Sequence, residues 1–326
     1  MATRCEEKVR ILKTLALDIG GTSIKCAYLS QNGDKSEFRL LPEVNTPKDE
    51  AAFMMALNGL LKVAGGVDGV AISTLGVVDS TNNTILGSGA VDYLPKLNLA
   101  QTIVDNYGLP CRIMNDGKAA TLGEFYFGNL TNTDSGVCLV LGSGIGGGII
   151  YHNQLLEGHH FAAGEFSNIR TDNDWVKLNE SLFYKQNSSL TLNYDHKLIQ
   201  NNDGRTFFSE LDQSGDLKTV LRRYCRMLAV QLYNIQLVID PERFVIGGGI
   251  SAQHVLFDYL DAAIHELAST MGDHNLFSGY MPIVVPAMHR NTANLYGAIG
   301  NYLAAELQLP VDQIQKRLAQ SERVDD

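Results

Sequence analysis

The chain has little of what marks secreted or membrane-spanning proteins. Its five cysteines among 326 residues are scattered and never form a Cys-x-x-Cys pair, which is typical of a reduced compartment and not of a disulfide framework. No apolar run approaches the roughly 20 residues that cross a bilayer. The first ten residues also lack the apolar core of a signal peptide. We therefore expect a cytoplasmic protein without membrane contact.

Positive charge is scarce as well. Lys and Arg total 26 against 36 Asp and Glu, which gives a net charge of −10. Nucleic-acid surfaces need clustered cations, so we expect no nucleic-acid partner. The 45% apolar and 19% charged residues indicate a globular chain whose length suits two domains. Its substrate is then expected to be a small molecule.

Residues 15–29, LALDIGGTSIKCAYL, combine a strand pattern, an acid, a two-glycine turn and a second strand. Gly20 and Gly21 allow the backbone to bend and bring its N–H groups against a ligand. Thr22 adds a hydroxyl and Asp18 a carboxylate at the same place. These groups suit a phosphate carried with Mg²⁺, which Asp18 would hold through water. For this stretch alone, a plain β-hairpin is the alternative.

The same pattern recurs about 120 residues later, in VCLVLGSGIGGGIIYHNQLL (137–156). Its turn predicts further phosphate-binding residues, namely Gly142, Ser143, Gly144 and Gly146. Two such turns indicate a duplicated domain that holds one nucleotide between its halves. The turn also matches the Gly-x-Gly-x-x-Gly dinucleotide fingerprint. That fingerprint requires a helix next, whereas the residues that follow predict a strand and a hairpin.

On these stretches the chain resembles the ROK sugar kinases of the actin-like, hexokinase-type ATPase superfamily, from about residue 14 to residue 305. The resemblance is carried by DIGGT (18–22), MNDGKAATLGE (114–124), LGSGIGGGI (141–149), AAGE (162–165) and DPERFVIGGGIS (240–251). It implies an α/β, two-domain actin-like ATPase (ribonuclease H-like) fold with a duplicated βββαβα core. We place a small domain at 1–117 plus 297–326 and a large domain at 118–296. ATP and Mg²⁺ are the implied cofactors.

Asn115 and Asp116 follow a predicted strand (111–114) and precede a predicted helix. An isolated Asn-Asp pair at such a place is ordinarily a helix cap, and the helix N-terminus would stabilise the carboxylate anion. The resemblance implies that Asp116 is the general base that takes the proton from the acceptor hydroxyl and that Asn115 holds the sugar. The two roles are compatible. It also implies that the backbone at Gly76 approaches the sugar, although Leu75 replaces the proline usual in the family; an ordinary turn at the end of a strand is the alternative.

The segment GHHFAAGEFSN (158–168) resembles the sugar-binding segment of the family, which implies that Glu165 binds sugar; a surface-loop acid is the alternative. Most ROK kinases hold a structural zinc here with one His and three Cys. Asn168 replaces the histidine and residues 166–200 contain no cysteine, so we expect no zinc. Asn168 could still offer an amide to a hydroxyl, and Glu180 would replace a family glutamate that reaches the anomeric hydroxyl. Relaxed recognition at C1 would tolerate a substituent there.

A third glycine turn follows a predicted strand at 243–246. The resemblance implies that Gly248 and Gly249 contact the adenosine, and a merely flexible turn is the alternative. Helices are predicted at 48–64, at 218–239 and, rich in small residues for close packing, at 291–307. The polar tail to residue 326 is expected to fray.

These residues predict ATP-dependent phosphorylation of a hexose or hexose derivative on its primary hydroxyl. Candidate acceptors are a β-glucoside, glucose and N-acetylmannosamine, and dimers are common among resembling proteins, so a homodimer is considered. One alternative is a non-catalytic ROK sugar-sensing regulator. It would carry a helix-turn-helix domain that the 13 residues before the first predicted strand are too few to form. The other alternative is a different actin-like ATPase. An assay for ADP formation with a panel of sugar acceptors would distinguish it from a sugar kinase.

Overall fold

The computed structural model describes residues 12–32, 35–89, 91–142, 144–170, 204–272, 279–319 and 321–324. The chain forms two compact units, Met1–Phe127 with Asn294–Asp326, and Gly128–Ala293. The predicted boundaries lay at 117/118 and at 296/297. The division in the structure differs because the helix Asp116–Phe127 packs within the first unit. Within the described ranges, no helix has the length and hydropathy to cross a membrane.

The first unit is a mixed sheet with helices. In chain order its elements are β1 (Leu12–Ile19), β2 (Ser23–Asn32), β3 (Lys35–Asn45), α1 (Glu50–Ala64), β4 (Gly69–Thr74), β5 (Val77–Asp79), β6 (Thr84–Gly87), α2 (Leu99–Tyr107), β7 (Cys111–Asn115) and α3 (Asp116–Phe127). After the second unit it continues with α7 (Ala293–Glu306), α8 (Val311–Ala319) and β13 (Ser321–Val324). The strand order is β13-β3-β2-β1-β4-β7, in which β4 and β7 run parallel to β1.

The helix predicted at 48–64 is observed as α1, and local signals in the sequence mark both of its ends. Asp49 caps α1, because its Oδ1 accepts a hydrogen bond from the Ala52 N–H at 2.8 Å. Gly65 ends the helix in the left-handed conformation, with φ of 70°. The residues that face the core recur at helical spacing, namely Phe53, Leu57, Leu60 and Ala64. They pack against the inward side chains of the sheet.

The second unit repeats this arrangement. Its elements are β8 (Gly136–Leu141), β9 (Ile145–Tyr151), β10 (Gln154–Leu155), α4 (Gly204–Glu210), α5 (Gly215–Ile239), β11 (Arg243–Gly247), α6 (His254–Ser269) and β12 (Val284–Pro286). The strand order β10-β9-β8-β11-β12 matches β3-β2-β1-β4-β7, with the same antiparallel and parallel pairs. The predicted duplicated core is therefore confirmed.

The strand pairing defines which turns of the two copies correspond. β1 ends where Ile19 pairs with Ile24, and β8 ends where Leu141 pairs with Ile145. The turns that correspond are thus those directly after Ile19 and Leu141. Gly146 consequently lies inside β9, paired with Val140, and not in the turn. The positions of the glycines in the sequence could not reveal where β9 begins, because strand ends are set by pairing between strands.

The prediction that the tail frays is wrong for the described part of it. In α8 the side chain of Ile314 is fully buried. Gln315 donates from Nε2 to the carbonyl of Phe125 at 3.1 Å, which ties α8 to α3. Residues Ser321–Val324 then pair in parallel with β3. The mainly polar composition concealed the buried position of Ile314.

Candidate active site

Three parallel strands of the first unit end at one edge of its sheet. In their register Asp18 of β1 pairs with Ser73 of β4, and Thr74 of β4 pairs with Asn115 of β7. In sheets of this kind, ligands bind beyond the carboxyl ends of the parallel strands. The structure therefore gathers the predicted acid, the turn after β1 and the Asn115–Asp116 pair at the edge where a ligand is expected.

Asp18 is held by two neutral donors. Ser73 donates from Oγ to Oδ1 of Asp18 at 2.8 Å, and Asn294 donates from Nδ2 to the same oxygen at 3.0 Å. Only 9% of Asp18 is exposed. Neither donor was found from the sequence. Detecting Ser73 requires the register of β1 with β4, and Asn294 comes from the far end of the chain.

The turn after β1 is held on one side and exposed on the other. Thr46 donates from Oγ1 to the carbonyl of Gly20 at 2.6 Å and from its N–H to the carbonyl of Thr22 at 2.9 Å. A side chain at Gly20 would begin 2.9 Å from the carbonyl of Ser23. Gly21 and Thr22 are exposed. The turn is thus fixed from behind by Thr46, a residue that the sequence analysis did not single out.

Asn115 caps the helix that Asp116 begins. Its Oδ1 accepts from the N–H of Lys118 at 3.0 Å, which is the geometry of an N-cap. Its Nδ2 donates to the carbonyl of Gly76 at 2.8 Å and to Oδ1 of Asp116 at 3.0 Å. The Asp116 carboxylate also accepts from the N–H of Gly117 at 2.8 Å. The cap is therefore Asn115, and the half-buried Asp116 carboxylate is oriented at the helix N-terminus by two N–H donors.

Gly76 occupies a position that only glycine fits. Its φ of +94° lies in the region that side chains disfavour, and a Cβ there would stand 1.8 Å from the carbonyl oxygen of Gly87. The loop after β4 can therefore approach the end of β6 this closely only because residue 76 has no side chain. It also sets the carbonyl that receives the Asn115 amide.

In the second unit the turn between β8 and β9 is tight. Gly142 donates its N–H to the carbonyl of Gly144 at 2.9 Å. Ser167 clamps the start of β9, since its Oγ accepts from the N–H of Ile145 at 2.8 Å and donates to the carbonyl of Ile145 at 3.0 Å. Ser143, which the sequence analysis included in this turn, lies outside the described residues.

The third glycine turn lies against the second. Gly248 has a φ of +90°, and a Cβ there would stand 2.1 Å from the carbonyl of Leu141. The following Gly249 is exposed and begins a short 3₁₀ helix, Gly249–Ala252. The structure thus brings together the predicted phosphate turn at Gly142 and the predicted adenosine turn at Gly248.

The segment that carries Glu165 packs on β9. Gly164 has a φ of +84° and a Cβ there would stand 2.9 Å from the Cα of Gly148. Glu165 is half-buried, whereas Asn168 is exposed and donates its N–H to the carbonyl of Glu165 at 3.0 Å. Glu180 lies outside the described residues.

No metal cluster occurs in the described ranges, in the sense that no three His, Cys, Asp or Glu side chains there could hold one ion. Residues 171–203, which include most of the segment that would hold zinc in resembling kinases, lie outside those ranges. The expected absence of zinc therefore stays a prediction.

Solved structures of similar chains define the class of protein. A ROK family protein from Streptococcus pneumoniae, in complex with sucrose, is 25% identical with a TM-score of 0.75, and the match covers 91% of this chain and 100% of that one. A putative N-acetylmannosamine kinase from Listeria monocytogenes is 27% identical with a TM-score of 0.72, over 90% of this chain and 100% of that one. The fold is that of the sugar kinases with an actin-like ATPase architecture.

The family follows from the sequence match. The model of the ROK family matches residues 14–180 and 184–305, and the chain belongs to that family. A β-glucoside kinase from Listeria innocua is 28% identical over 306 residues, which span 90% of this chain and 99% of the relative. The chain is accordingly a carbohydrate kinase, as predicted from its motifs.

Proposed function

We propose that the protein transfers the γ-phosphoryl group of ATP to the primary hydroxyl of a hexose or hexose derivative, with Asp116 as the general base. The observation that carries this proposal is the setting of Asp116. Its carboxylate stands at the carboxyl end of β7, at the first position of α3, and two N–H donors hold its Oδ1. A base fixed in this way can accept a proton without first reorienting.

Asp116 is proposed to take the proton of the sugar hydroxyl as the new oxygen–phosphorus bond forms. Hydrogen bonds from Asn115 and Gly117 favour the ionised carboxylate, as does the N-terminus of α3. The ionised form is the one that can act as a base. Phosphoryl transfer otherwise asks for positioning and charge stabilisation, which the glycine turns are proposed to supply.

For the nucleotide, we propose the glycine turns as the phosphate-binding segments. They comprise Gly20, Gly21 and Thr22 in the first unit, and Gly142, Ser143 and Gly144 in the second, with Gly146 in the adjoining strand β9. Gly248 and Gly249 are proposed to contact the adenosine. The close approach of Gly248 to Leu141 supports a shared adenosine and phosphate region in the second unit.

Asp18 is proposed to hold Mg²⁺ through water. The fit rests on the chemistry of the donor: a carboxylate whose Oδ1 already accepts two hydrogen bonds, at the carboxyl edge of a parallel sheet. When bound, Mg²⁺ would neutralise charge on the phosphate oxygens. Ser73 and Asn294 keep the Asp18 side chain in one orientation.

For the acceptor, we propose Asn115, Gly76, Glu165, Asn168 and Glu180 as the residues that recognise the sugar. A substituent at C1 would be tolerated, because the zinc-bound histidine of resembling kinases is replaced by the exposed Asn168. The names of two similar proteins also support a sugar substituted at C1. One is a β-glucoside kinase and the other was solved with sucrose, and both sugars carry a substituent at the anomeric carbon.

The proposal is tested by an assay for ADP formation. Wild-type protein and Asp116→Asn would be given ATP, Mg²⁺ and a panel of β-glucosides, glucose and N-acetylmannosamine, and the phosphorylated carbon would be located by NMR. We expect sugar-dependent ADP formation with phosphate on the primary hydroxyl, and a large loss in the variant. Absence of turnover with every sugar, together with sugar binding, would favour the regulator instead. A cytoplasmic location and a homodimer remain further proposals.

A further inference from the structure

The Asp18 carboxylate is restrained by donors from two distant parts of the chain. Ser73 comes from the end of β4, beside Asp18 in the sheet, and Asn294 comes from the first turn of α7. Both hydrogen bonds go to Oδ1, at 2.8 and 3.0 Å. Within the part of the chain that the structure describes, no hydrogen bond to Oδ2 is found.

In this arrangement Oδ1 of Asp18 accepts the hydrogen bonds that hold the side chain, and Oδ2 accepts none of them. A carboxylate that is mostly removed from water needs hydrogen-bond partners, and Ser73 and Asn294 provide them as neutral donors. Since both donors lie on Oδ1, rotation of the carboxylate would break them. Oδ2 is thereby left as the acceptor that can be offered to a ligand. An oriented carboxylate oxygen suits the water shell of a hydrated divalent cation.

We propose that Ser73 and Asn294 are positioning residues that hold Asp18 in the orientation needed for Mg²⁺ bound with the nucleotide. This rests on the proposed function, in which Asp18 faces the metal through water. Groups that hydrogen-bond to a metal-orienting carboxylate tune the site without touching the metal. Their loss typically costs about 10- to 100-fold in metal affinity or activity.

Asn294 adds a feature that Ser73 lacks. It is the first residue of the first unit after the chain returns from the second unit, which ends at Ala293. The residue at which the chain re-enters the first unit is therefore bonded directly to Asp18. A displacement of the start of α7 would be transmitted to the Asp18 carboxylate through one hydrogen bond.

The test compares nucleotide binding with and without metal, and needs no sugar. Calorimetric titrations with a non-hydrolysable ATP analogue would be run in Mg²⁺ and in EDTA on wild type, Ser73→Ala and Asn294→Leu. Asn301→Leu is the matched control, since it lies in the same helix and is also partly buried. We expect both test variants to weaken the Mg²⁺ form by about tenfold or more, with the metal-free affinity unchanged. The control should leave both affinities unchanged.

Two results would overturn the proposal. If both forms of the analogue weakened equally, the residues would support the fold and not the orientation of Asp18. If neither form weakened, the hydrogen bonds would have no role in metal binding. Ser73→Ala removes a single oxygen atom, so it remains informative if Asn294→Leu fails to fold. A wild-type protein that bound the Mg²⁺ form but phosphorylated no sugar would contradict the proposed function alone.

Kinetics provide a second readout of the same variants. We expect kcat to fall in Ser73→Ala and Asn294→Leu while the KM for the sugar stays unchanged, since Asn115 and Asp116 keep their own contacts. A raised sugar KM with a normal kcat would contradict a role through Asp18.

Discussion

The side-chain amide of Asn115 donates to the main-chain carbonyl of Gly76 at 2.8 Å, so that the end of β7 is joined to the loop that follows β4. Through the same Nδ2, Asn115 also reaches the carboxylate of Asp116. The backbone conformation at Gly76 therefore influences the orientation of the proposed base two contacts away. This chain of contacts makes the conformation of Gly76 relevant to turnover.

Gly76→Ala should destabilise the protein and impair catalysis together. The added Cβ would stand 1.8 Å from the Gly87 carbonyl at a φ of +94°, so the loop must move. A residue forced into such a conformation costs about 1–3 kcal/mol, and the shift would displace the carbonyl that receives the Asn115 amide. Urea unfolding and kcat/KM for the sugar measure the two effects.

The matched control for this variant is Gly59→Ala. Gly59 is exposed inside α1, and a Cβ there meets nothing within 4 Å. This replacement should stabilise the protein by about 0.5–1 kcal/mol, because alanine is the better helix former. Equal stability of the Gly76 variant and wild type would show that the loop adapts without cost.

Ser167→Ala should loosen the turn between β8 and β9. The hydroxyl makes two hydrogen bonds to the main chain of Ile145, a residue that is almost fully buried. Leaving such groups unpaired costs about 1–3 kcal/mol, and we expect the KM for ATP to rise more than the KM for the sugar. Ser209→Ala, whose hydroxyl is exposed on α4 and bonded to the carbonyl of Thr206, should change neither. An unchanged ATP KM in the Ser167 variant would separate this clamp from nucleotide binding.

Alkaline pH should destabilise the fold through its buried thiols. Burial raises the pKa of Cys26, Cys111 and Cys225 from 9.0 to about 12. The unfolded chain releases these protons first, so the native state is progressively disfavoured as pH rises from about 9 toward 12. Urea unfolding at a series of pH values should show this loss. At pH 8, alkylation located by mass spectrometry should modify these three thiols only after unfolding, and their rapid labelling in the native protein would contradict the raised pKa values.

Local patterns were sufficient for much of the fold. The capped amphipathic helix α1, the hairpin in place of a dinucleotide-binding helix after Gly144, and the pair of related halves could all be recognised from residues close together in the sequence. Glycine turns flanked by strand patterns are strong local signals, and the ROK resemblance supplied the rest of the architecture.

What could not be predicted depends on register and on contacts between distant residues. Ser73 reaches Asp18 only because β1 and β4 pair in one particular register, and Asn294 is 276 residues away. The assignment of Gly146 to the turn failed to anticipate that β8 extends to Leu141. In the same way, Thr46, the residue directly after β3, binds the turn after β1, a contact that no local pattern indicates.

The central claim is that Asp116 acts as the base of a sugar kinase, and one variant tests it most directly. Asp116→Asn keeps the size of the side chain and removes its charge. We predict that kcat falls by about 10²- to 10⁴-fold, the usual contribution of a general base, while calorimetry finds the affinity for the ATP analogue with Mg²⁺ unchanged. A variant that keeps more than about a tenth of wild-type turnover would contradict the role assigned to Asp116.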